Sequence, residues 1–140
     1  MRRQAILDTG PIVALLNKND HFHVWATGEF GRLAPPALTC EAVLTEAWHL
    51  LRRLPAGQLG LLKLLSRGLI EVRFRLNAEC SAVVKLATRY ANVPMSLADA
   101  CLVRMAEIHA GSPVVTLDRD FSVYRAHGRQ AIPLIMAADA

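Results

Sequence analysis

The stretch Ala5-Ile6-Leu7-Asp8-Thr9-Gly10-Pro11 decides the fold of this chain. Three apolar residues run into a carboxylate, and a Gly-Pro break then leads into the apolar segment 12–16. This order predicts a buried strand, a tight turn and a helix start, with Pro11 at the first helical position, where its missing N–H is harmless. Asp8 is therefore expected at the end of a strand. In open α/β sheets, ligands bind at the carboxyl ends of the strands.

The composition is that of a folded domain. With 140 residues, 53% of them hydrophobic and 20% charged, the chain is expected to form a single domain over residues 1–140 with a real core. No apolar run approaches the ~18 residues of a membrane helix, and the apolar stretch after the basic N-terminus is too short for a secretory signal. We therefore expect a cytoplasmic protein with no membrane partner. The net charge of +4 permits nucleic-acid binding but is weak support for it alone.

Three cysteines, Cys40, Cys80 and Cys101, lie far apart in the sequence and are odd in number. No C-x-x-C spacing occurs, so the pattern favours neither a disulfide framework nor a zinc site. All three are expected to be reduced and buried.

Short apolar segments alternate with helical patterns along the whole chain. The pattern predicts strands at 4–7, 37–39, 69–74, 113–117 and 132–135, and helices at 11–16, 21–30, 40–53, 56–66, 77–90 and 96–109. The segment 69–74 alternates apolar and charged residues, which indicates an edge strand, and residues 118–121 are expected to form a turn or short helix. Such alternation implies parallel pairing, and hence a three-layer α/β/α sandwich with a short, mainly parallel sheet.

Acidic residues are scarce, and several occupy unusual places. Asp118 follows the apolar segment 114–117 as Asp8 follows the first strand, and Asp120 comes two residues later. Glu46 lies on the apolar stripe of its helix, and Asp99 follows Ser96 in a capping-box pattern. Each has an ordinary explanation alone: a glutamate reaching water from the edge of a stripe, a helix cap, and turn-forming aspartates.

Taken together, these acids suggest a metal site. If the first and fourth strands are neighbours, Asp8 and Asp118 lie in one crevice, where several carboxylates would repel one another strongly. Divalent cations make such a cluster tolerable, and Mg²⁺ or Mn²⁺ prefers carboxylate oxygen and water. The five histidines are scattered and offer no competing set of ligands.

The same segments, in the same order, resemble the PIN-domain family. They are Ile-Leu-Asp8-Thr-Gly-Pro, Leu-Thr-Glu46-Ala, Ser96-Leu-Ala-Asp99-Ala and Thr116-Leu-Asp118-Arg-Asp120-Phe. The chain looks similar to the small VapC-type ribonuclease toxins of that family over residues 4–135. The resemblance implies a PIN-like fold and an endoribonuclease that depends on Mg²⁺ or Mn²⁺.

The resemblance also assigns roles to residues. It carries over Asp8, Glu46, Asp99 and Asp118 as the catalytic, metal-binding acids, with Asp120 as an alternate or additional ligand. Thr9, Ser96 and Thr116 are expected to support them through their hydroxyl groups. An RNA substrate, a cognate antitoxin protein and a homodimer are the partners it implies.

Basic residues are expected around such a site, because a negatively charged cavity repels RNA. The candidates for contacts to the RNA backbone are Arg119, Arg52, Arg53 and Arg125. Arginines of this kind position the backbone rather than read the sequence.

Three alternatives compete with this interpretation. Asp8-Thr9-Gly10 is also the aspartic-protease signature, but that chemistry needs two such loops in a β-rich setting, and here one is followed by a helix. A dehalogenase-type phosphatase would need a second acid where Gly10 stands. A PIN-like module that binds RNA or protein without cleavage is the remaining competitor, and loss of cleavage on chelation would separate the two.

Overall fold

A computed structural model, which describes residues 4–140, shows an α/β fold around one parallel sheet. The sheet has five strands in the order β3-β2-β1-β4-β7, and all of its pairings are parallel. These strands are β1 (Ile6–Leu7), β2 (Ala37–Thr39), β3 (Ile70–Val72), β4 (Val114–Val115) and β7 (Leu134–Ile135). The predicted short parallel sheet is confirmed, and β3 is at its edge as its alternating pattern indicated.

Six α-helices flank the sheet in the described part of the chain. They are α1 (Thr9–Leu16), α2 (His23–Arg32), α3 (Glu41–Leu50), α4 (Pro55–Ser66), α5 (Leu76–Arg89) and α6 (Leu97–Ile108). Helices α2, α3 and α4 each pack on α1, while α5 packs on α6 and α6 contacts β1. The helices thus cover the sheet in the three-layer arrangement that the alternating pattern predicted.

Several boundaries differ from the prediction for identifiable reasons. Helix α1 begins at Thr9, so Pro11 is its third residue; proline fits there because none of the first four N–H groups has a partner within the helix. Helix α5 begins at Leu76, and Asn77 lies inside it instead of capping it. The predicted strand 69–74 shortens to three residues because pairing with β2 ends at Val72.

A second, two-stranded sheet was not predicted. Strands β5 (Arg125–Ala126) and β6 (Gln130–Ala131) form an antiparallel hairpin that follows a 3₁₀ turn at Arg119–Ser122. The hairpin tip needs positive φ angles at His127 (51°) and Gly128 (81°). The sequence does not indicate this hairpin, because each strand is only two residues long and His-Gly is not among the residue pairs common in hairpin turns.

The core lies between the sheet and the helices, and includes β1, β4 and most of α6. Cys40 and Cys101 are buried in it as expected, but Cys80 is exposed on α5, so that prediction was wrong for one of the three thiols. Its position on the solvent side of an amphipathic helix explains the error. None of the helices between residues 4 and 140 combines the length and hydropathy that a bilayer-spanning segment needs.

Candidate active site

Strands β1 and β4 lie side by side in the middle of the sheet. Leu7 pairs with Val115 in the parallel register, and Asp8 N–H donates to the Val115 carbonyl at 3.0 Å. Asp8 and the segment 116–118 therefore leave the sheet at the same edge. This is the neighbour relation on which the predicted convergence of Asp8 and Asp118 depended.

Asp8 is a buried carboxylate, 7% exposed, that caps α1. Its Oδ1 accepts a hydrogen bond from Thr9 N–H at 2.7 Å, and its Oδ2 accepts one from the Thr116 hydroxyl at 2.6 Å. Thr116 Oγ1 in turn accepts from Asp118 N–H at 2.9 Å. One hydroxyl thus joins the two acid-bearing loops and fixes the side chain of Asp8.

Gly10 lets the two loops approach closely. A Cβ at this position would lie 3.3 Å from the Cβ and Cδ1 of Leu117, which is tighter than ordinary van der Waals contact. Leu117 directly precedes Asp118. A side chain at position 10 would therefore tend to push Asp118 away from Asp8.

Asp99 lies in the first turn of α6, also 7% exposed. The predicted capping box is present: Asp99 N–H donates to Ser96 Oγ at 3.0 Å, and Ser96 N–H donates to Asp99 Oδ2 at 3.3 Å. The buried hydroxyl of Tyr124 also donates to Asp99 Oδ2, at 3.0 Å. Capping fixes this carboxylate at the helix N-terminus and does not remove it from the cavity.

One cavity of about 340 Å³ brings four of the predicted acids together. Its lining includes Asp8, Glu46, Asp99 and Asp118, together with Thr9 and Ser96. Glu46 is the exposed member, on α3, whereas Asp118 is half-buried. Asp120 is not in the lining, although its backbone N–H donates to Asp118 Oδ1 at 2.9 Å.

The four arginines predicted to contact RNA do not line this cavity. Arg119 donates to the Ala140 carbonyl at 2.6 Å, and Arg52 to the His49 carbonyl at 3.0 Å. One nitrogen of Arg125 donates to three carbonyls, those of residues 122–124, which holds its guanidinium against its own loop. Arg53 is exposed beyond the end of α3.

The acids in the cavity have no cationic partner among residues 4–140. Burial raises the pKa of Asp8 to about 6, and the nearby charges of Asp99 and Asp118 add to this rise against the two hydrogen bonds that Asp8 accepts. Burial is also the largest cause that raises the pKa of Asp99, with the charge of Asp118 in the same direction. The site thus concentrates negative charge that nothing in the described chain neutralises.

The donor set suits a hard divalent cation. The carboxylates of the lining are oxygen donors. The Thr9 hydroxyl, expected to support the acids, is buried and forms no hydrogen bond within the described chain; it is the Thr9 backbone N–H that bonds Asp8. Across residues 4–140, however, no three histidine, cysteine, aspartate or glutamate side chains form a compact group that could hold an ion as they stand.

Tyr124 is the residue near the site that sequence reasoning missed. It is fully buried, its ring packs edge-on against Phe121 and Tyr90, and burial together with the charge of Asp99 raises the pKa of its hydroxyl. A tyrosine three residues after Phe121, next to the apolar Val123, was the available signal, since a buried tyrosine hydroxyl usually finds a polar partner.

Comparisons with known proteins agree with this architecture. The family model described as "PIN domain" matches residues 5–126. Among solved structures, Mycobacterium tuberculosis VapC20, described as a sarcin–ricin-loop-cleaving toxin, is similar with a TM-score of 0.74. The alignment has 21% identity and covers 92% of this chain and 99% of that one. No curated protein sequence matches the chain significantly.

The family match spans every acid of the cavity and the Asp120 beside it, and the structural likeness extends over nearly the whole chain. The chain therefore belongs to the PIN-domain family.

Proposed function

We propose that this protein is a divalent-metal-dependent endoribonuclease that hydrolyses RNA phosphodiester bonds. The observation that carries the proposal is the convergence of Asp8, Glu46, Asp99 and Asp118 on one cavity with no cation among the described residues to balance them. Acids that share a cavity without a cation lower the stability of the fold. Unpaired carboxylates in a cleft whose pKa values are perturbed are typical of functional sites.

The buried acids Asp8 and Asp99, together with Asp118 and Glu46, would hold Mg²⁺ or Mn²⁺. Asp118 is favoured over Asp120 as the fourth ligand because only Asp118 lines the cavity. When bound, such an ion supplies a water of lowered pKa and stabilises charge on phosphate oxygens.

The remaining work belongs to the chain's own side chains. The hydrogen bonds from Thr116 and Thr9 fix both oxygens of Asp8, so the carboxylate is already oriented before any ligand arrives. Ser96 and Tyr124 both donate to Asp99 Oδ2, which leaves Oδ1 as the oxygen without one of these bonds.

We propose further that the enzyme is the toxin of a toxin–antitoxin pair. The likeness to VapC20, a toxin that cleaves the sarcin–ricin loop, supports this assignment, as does membership of the PIN-domain family. An RNA substrate, an antitoxin protein that blocks the cavity, a homodimer and a cytoplasmic location complete the proposal.

The test is cleavage of single-stranded RNA by the purified protein with Mg²⁺, with Mn²⁺ and with EDTA. Cleavage is expected with either ion and none with EDTA. Asp8→Asn and Asp99→Asn should abolish it. The half-buried acid Glu71 of the edge strand β3, which pairs with Arg73 and lies outside the cavity, should tolerate Glu71→Gln. Mn²⁺ should also raise the melting temperature, since an ion bound only by the folded state stabilises that state.

Two results would contradict the proposal. Cleavage that persists in EDTA, or in both asparagine variants, would remove these acids from the reaction. Tight RNA binding without cleavage under any metal condition would instead identify a PIN-like binding module.

A further inference from the structure

A larger cavity of about 470 Å³ lies apart from the acids, between α5, α6 and the tip of the β5–β6 hairpin. We call it the cationic cavity; its charged lining residues are Glu79, Lys85, Arg89, Arg104 and Glu107, with His127 at the hairpin tip. None of the residues that line the acidic cavity lines this one. The proposed catalytic site does not use it.

Its two acids share one cation as their ion-pair partner. Arg104 donates to Glu79 Oε1 at 2.7 Å and to Glu107 Oε1 at 3.2 Å, and Glu107 Oε2 also accepts from His127 N–H at 2.6 Å. Lys85 and Arg89 form no ion pair within residues 4–140. Three cations against two acids leave the cavity a net charge of +1 with His127 neutral, and the unbalanced charge belongs to Lys85 and Arg89.

The guanidinium of Arg89 lies close to the hairpin tip. Gly128 has a φ of 81°, which favours glycine, and a Cβ there would lie 2.6 Å from Arg89 Nη1, so a larger residue would make this end of the arginine shift. Lys85 lies one helical turn before Arg89 on α5, so both project from the same face. The two cations without an ion pair therefore lie on the same wall of the cavity.

The same elements lead back to the acids. On α6, Glu107 lies eight residues after Asp99, about 12 Å along the helix axis. The hairpin runs alongside α6 from Tyr124, which bonds Asp99, to His127, which bonds Glu107. Tyr90, next to Arg89, packs on Tyr124 at 5.0 Å and accepts a hydrogen bond from Arg125 N–H.

We propose that the cationic cavity binds a backbone phosphate of the RNA strand whose scissile bond lies at the acids, an inference that rests on the proposed function. The rise of α6 from Asp99 to Glu107, about 12 Å, equals the length of roughly three to four nucleotides of a stacked strand, which rises about 3.4 Å per nucleotide, so one strand can span both ends of this helix. Lys85 and Arg89 bind the phosphate and fix the position of the strand without reading its sequence. They replace Arg52, Arg53, Arg119 and Arg125 as the principal residues that bind the RNA backbone.

The experiment measures binding of a labelled single-stranded RNA in EDTA, where cleavage is stopped, as a function of salt. The double variant Lys85→Gln/Arg89→Gln should bind about tenfold more weakly than the unaltered protein. Its slope of log affinity against log salt should be smaller by about 0.7 for each phosphate that the variant no longer neutralises. The matched control is Lys63→Gln/Arg67→Gln, which removes the same charges at the same spacing from the exposed face of α4, and should leave affinity and slope almost unchanged.

A cleavage assay separates this inference from the function on which it rests. The Lys85/Arg89 variant should cleave long RNA poorly but cleave a dinucleotide, which cannot reach the cavity, as fast as the unaltered protein. If the unaltered protein cleaves RNA and both double variants bind RNA equally well, the inference is wrong and the nuclease stands. If the unaltered protein neither binds nor cleaves RNA, both fall.

An acidic protein segment is the other class of ligand that such a cavity could attract. Competition with poly-glutamate decides between them. Loss of poly-glutamate binding in the Lys85/Arg89 variant, with RNA binding unchanged, would overturn the RNA assignment.

Discussion

Helix α6 carries two acids that the fold treats in opposite ways. Asp99, in its first turn, faces Asp8 and Asp118 without a cation, and burial raises its pKa. Glu107, in its last turn, is bonded to Arg104, whose own pKa is raised, first of all by its hydrogen bond with Glu79. The acid at the N-terminal end of α6 has no cationic partner in the described chain, whereas the acid at its C-terminal end is paired with Arg104.

The difference separates acids that stabilise the fold from acids that the fold must tolerate. The Arg104 cluster is a structural ion-pair network, partly screened by solvent because its side chains are up to 27% exposed. In the cavity the reverse holds for the two buried acids, because burial and the charge of Asp118 both raise the pKa of Asp8 and of Asp99. An arrangement that lowers stability is expected to persist where it supports a function.

The largest expected effect distinguishes Asp118 from Asp120. Residues that support metal ligands typically change activity about 10–100-fold. We expect Asp118→Asn to lower RNA cleavage by more than about 100-fold, because Asp118 itself lines the cavity. Asp120→Asn should lower it by less than about tenfold, because only the backbone N–H of Asp120 bonds Asp118. Rates of single-stranded RNA cleavage at saturating Mn²⁺ measure both. The opposite order would mean that Asp120, which does not line the cavity, is the fourth acid of the reaction, and it would contradict the distinction between cavity acids and other acids.

The cavity acids and the acids of the Arg104 cluster should also differ in their effect on the free energy of unfolding, and this difference is of intermediate size. In the metal-free protein at pH 7.5, Asp8→Asn should raise the free energy of unfolding, because it removes a charge that burial disfavours. Glu79→Gln should lower it by about 0.5–1 kcal/mol, because Arg104 loses a partner. Chemical denaturation in EDTA measures both changes, and two changes of the same sign would contradict the comparison.

The pH dependence of that stability has a defined sign. The folded-state pKa of Asp8, about 6, lies above its ordinary value of 3.8, so its proton favours folding below about pH 4, and that contribution is lost as the pH rises through 6. A rise of this size corresponds to about 3 kcal/mol. The metal-free protein should therefore lose stability between pH 4 and pH 7, and Asp8→Asn should lose much less of it.

The smallest expected effect concerns Tyr124, a positioning residue that reaches the site only through Asp99. Its hydrogen bond lowers the pKa of Asp99, so Tyr124→Phe should move the acid limb of the pH–rate profile upward by at most about one pH unit. Tyr90→Phe is the matched control, because that hydroxyl accepts from Arg125 N–H instead. An unchanged pH–rate profile in Tyr124→Phe would mean that Tyr124 contributes to the site only through packing.

The strands and acids of the candidate site could be predicted from the sequence more readily than the residues around that site. Asp8 and Asp118 each follow an apolar run, and their meeting depends only on β1 and β4 being neighbours, which the structure confirms. Capping of α6 by Ser96 was likewise visible, because capping is a local property.

What could not be predicted depends on tertiary contacts. The bond between Tyr124 and Asp99 spans 25 residues, and the hairpin that leads to it consists of two-residue strands without a strong local pattern. Arg119 lies beside the last acids in the sequence, yet its side chain donates to the Ala140 carbonyl, and Arg125 donates to carbonyls of its own loop. Lys85 and Arg89 read as ordinary solvent-facing residues of an amphipathic helix until the hairpin is placed beside them.

The hydroxyl of Thr116 reaches across 108 residues to Asp8. Strand β1 gains its neighbour β4, and Asp8 its second hydrogen bond, only after the chain has been synthesised through Thr116 and this segment has left the ribosome. A nascent chain that stops before this segment carries Asp8 without the hydroxyl that fixes its second oxygen. The order of translation therefore delays assembly of the site until β4 and Thr116 are available.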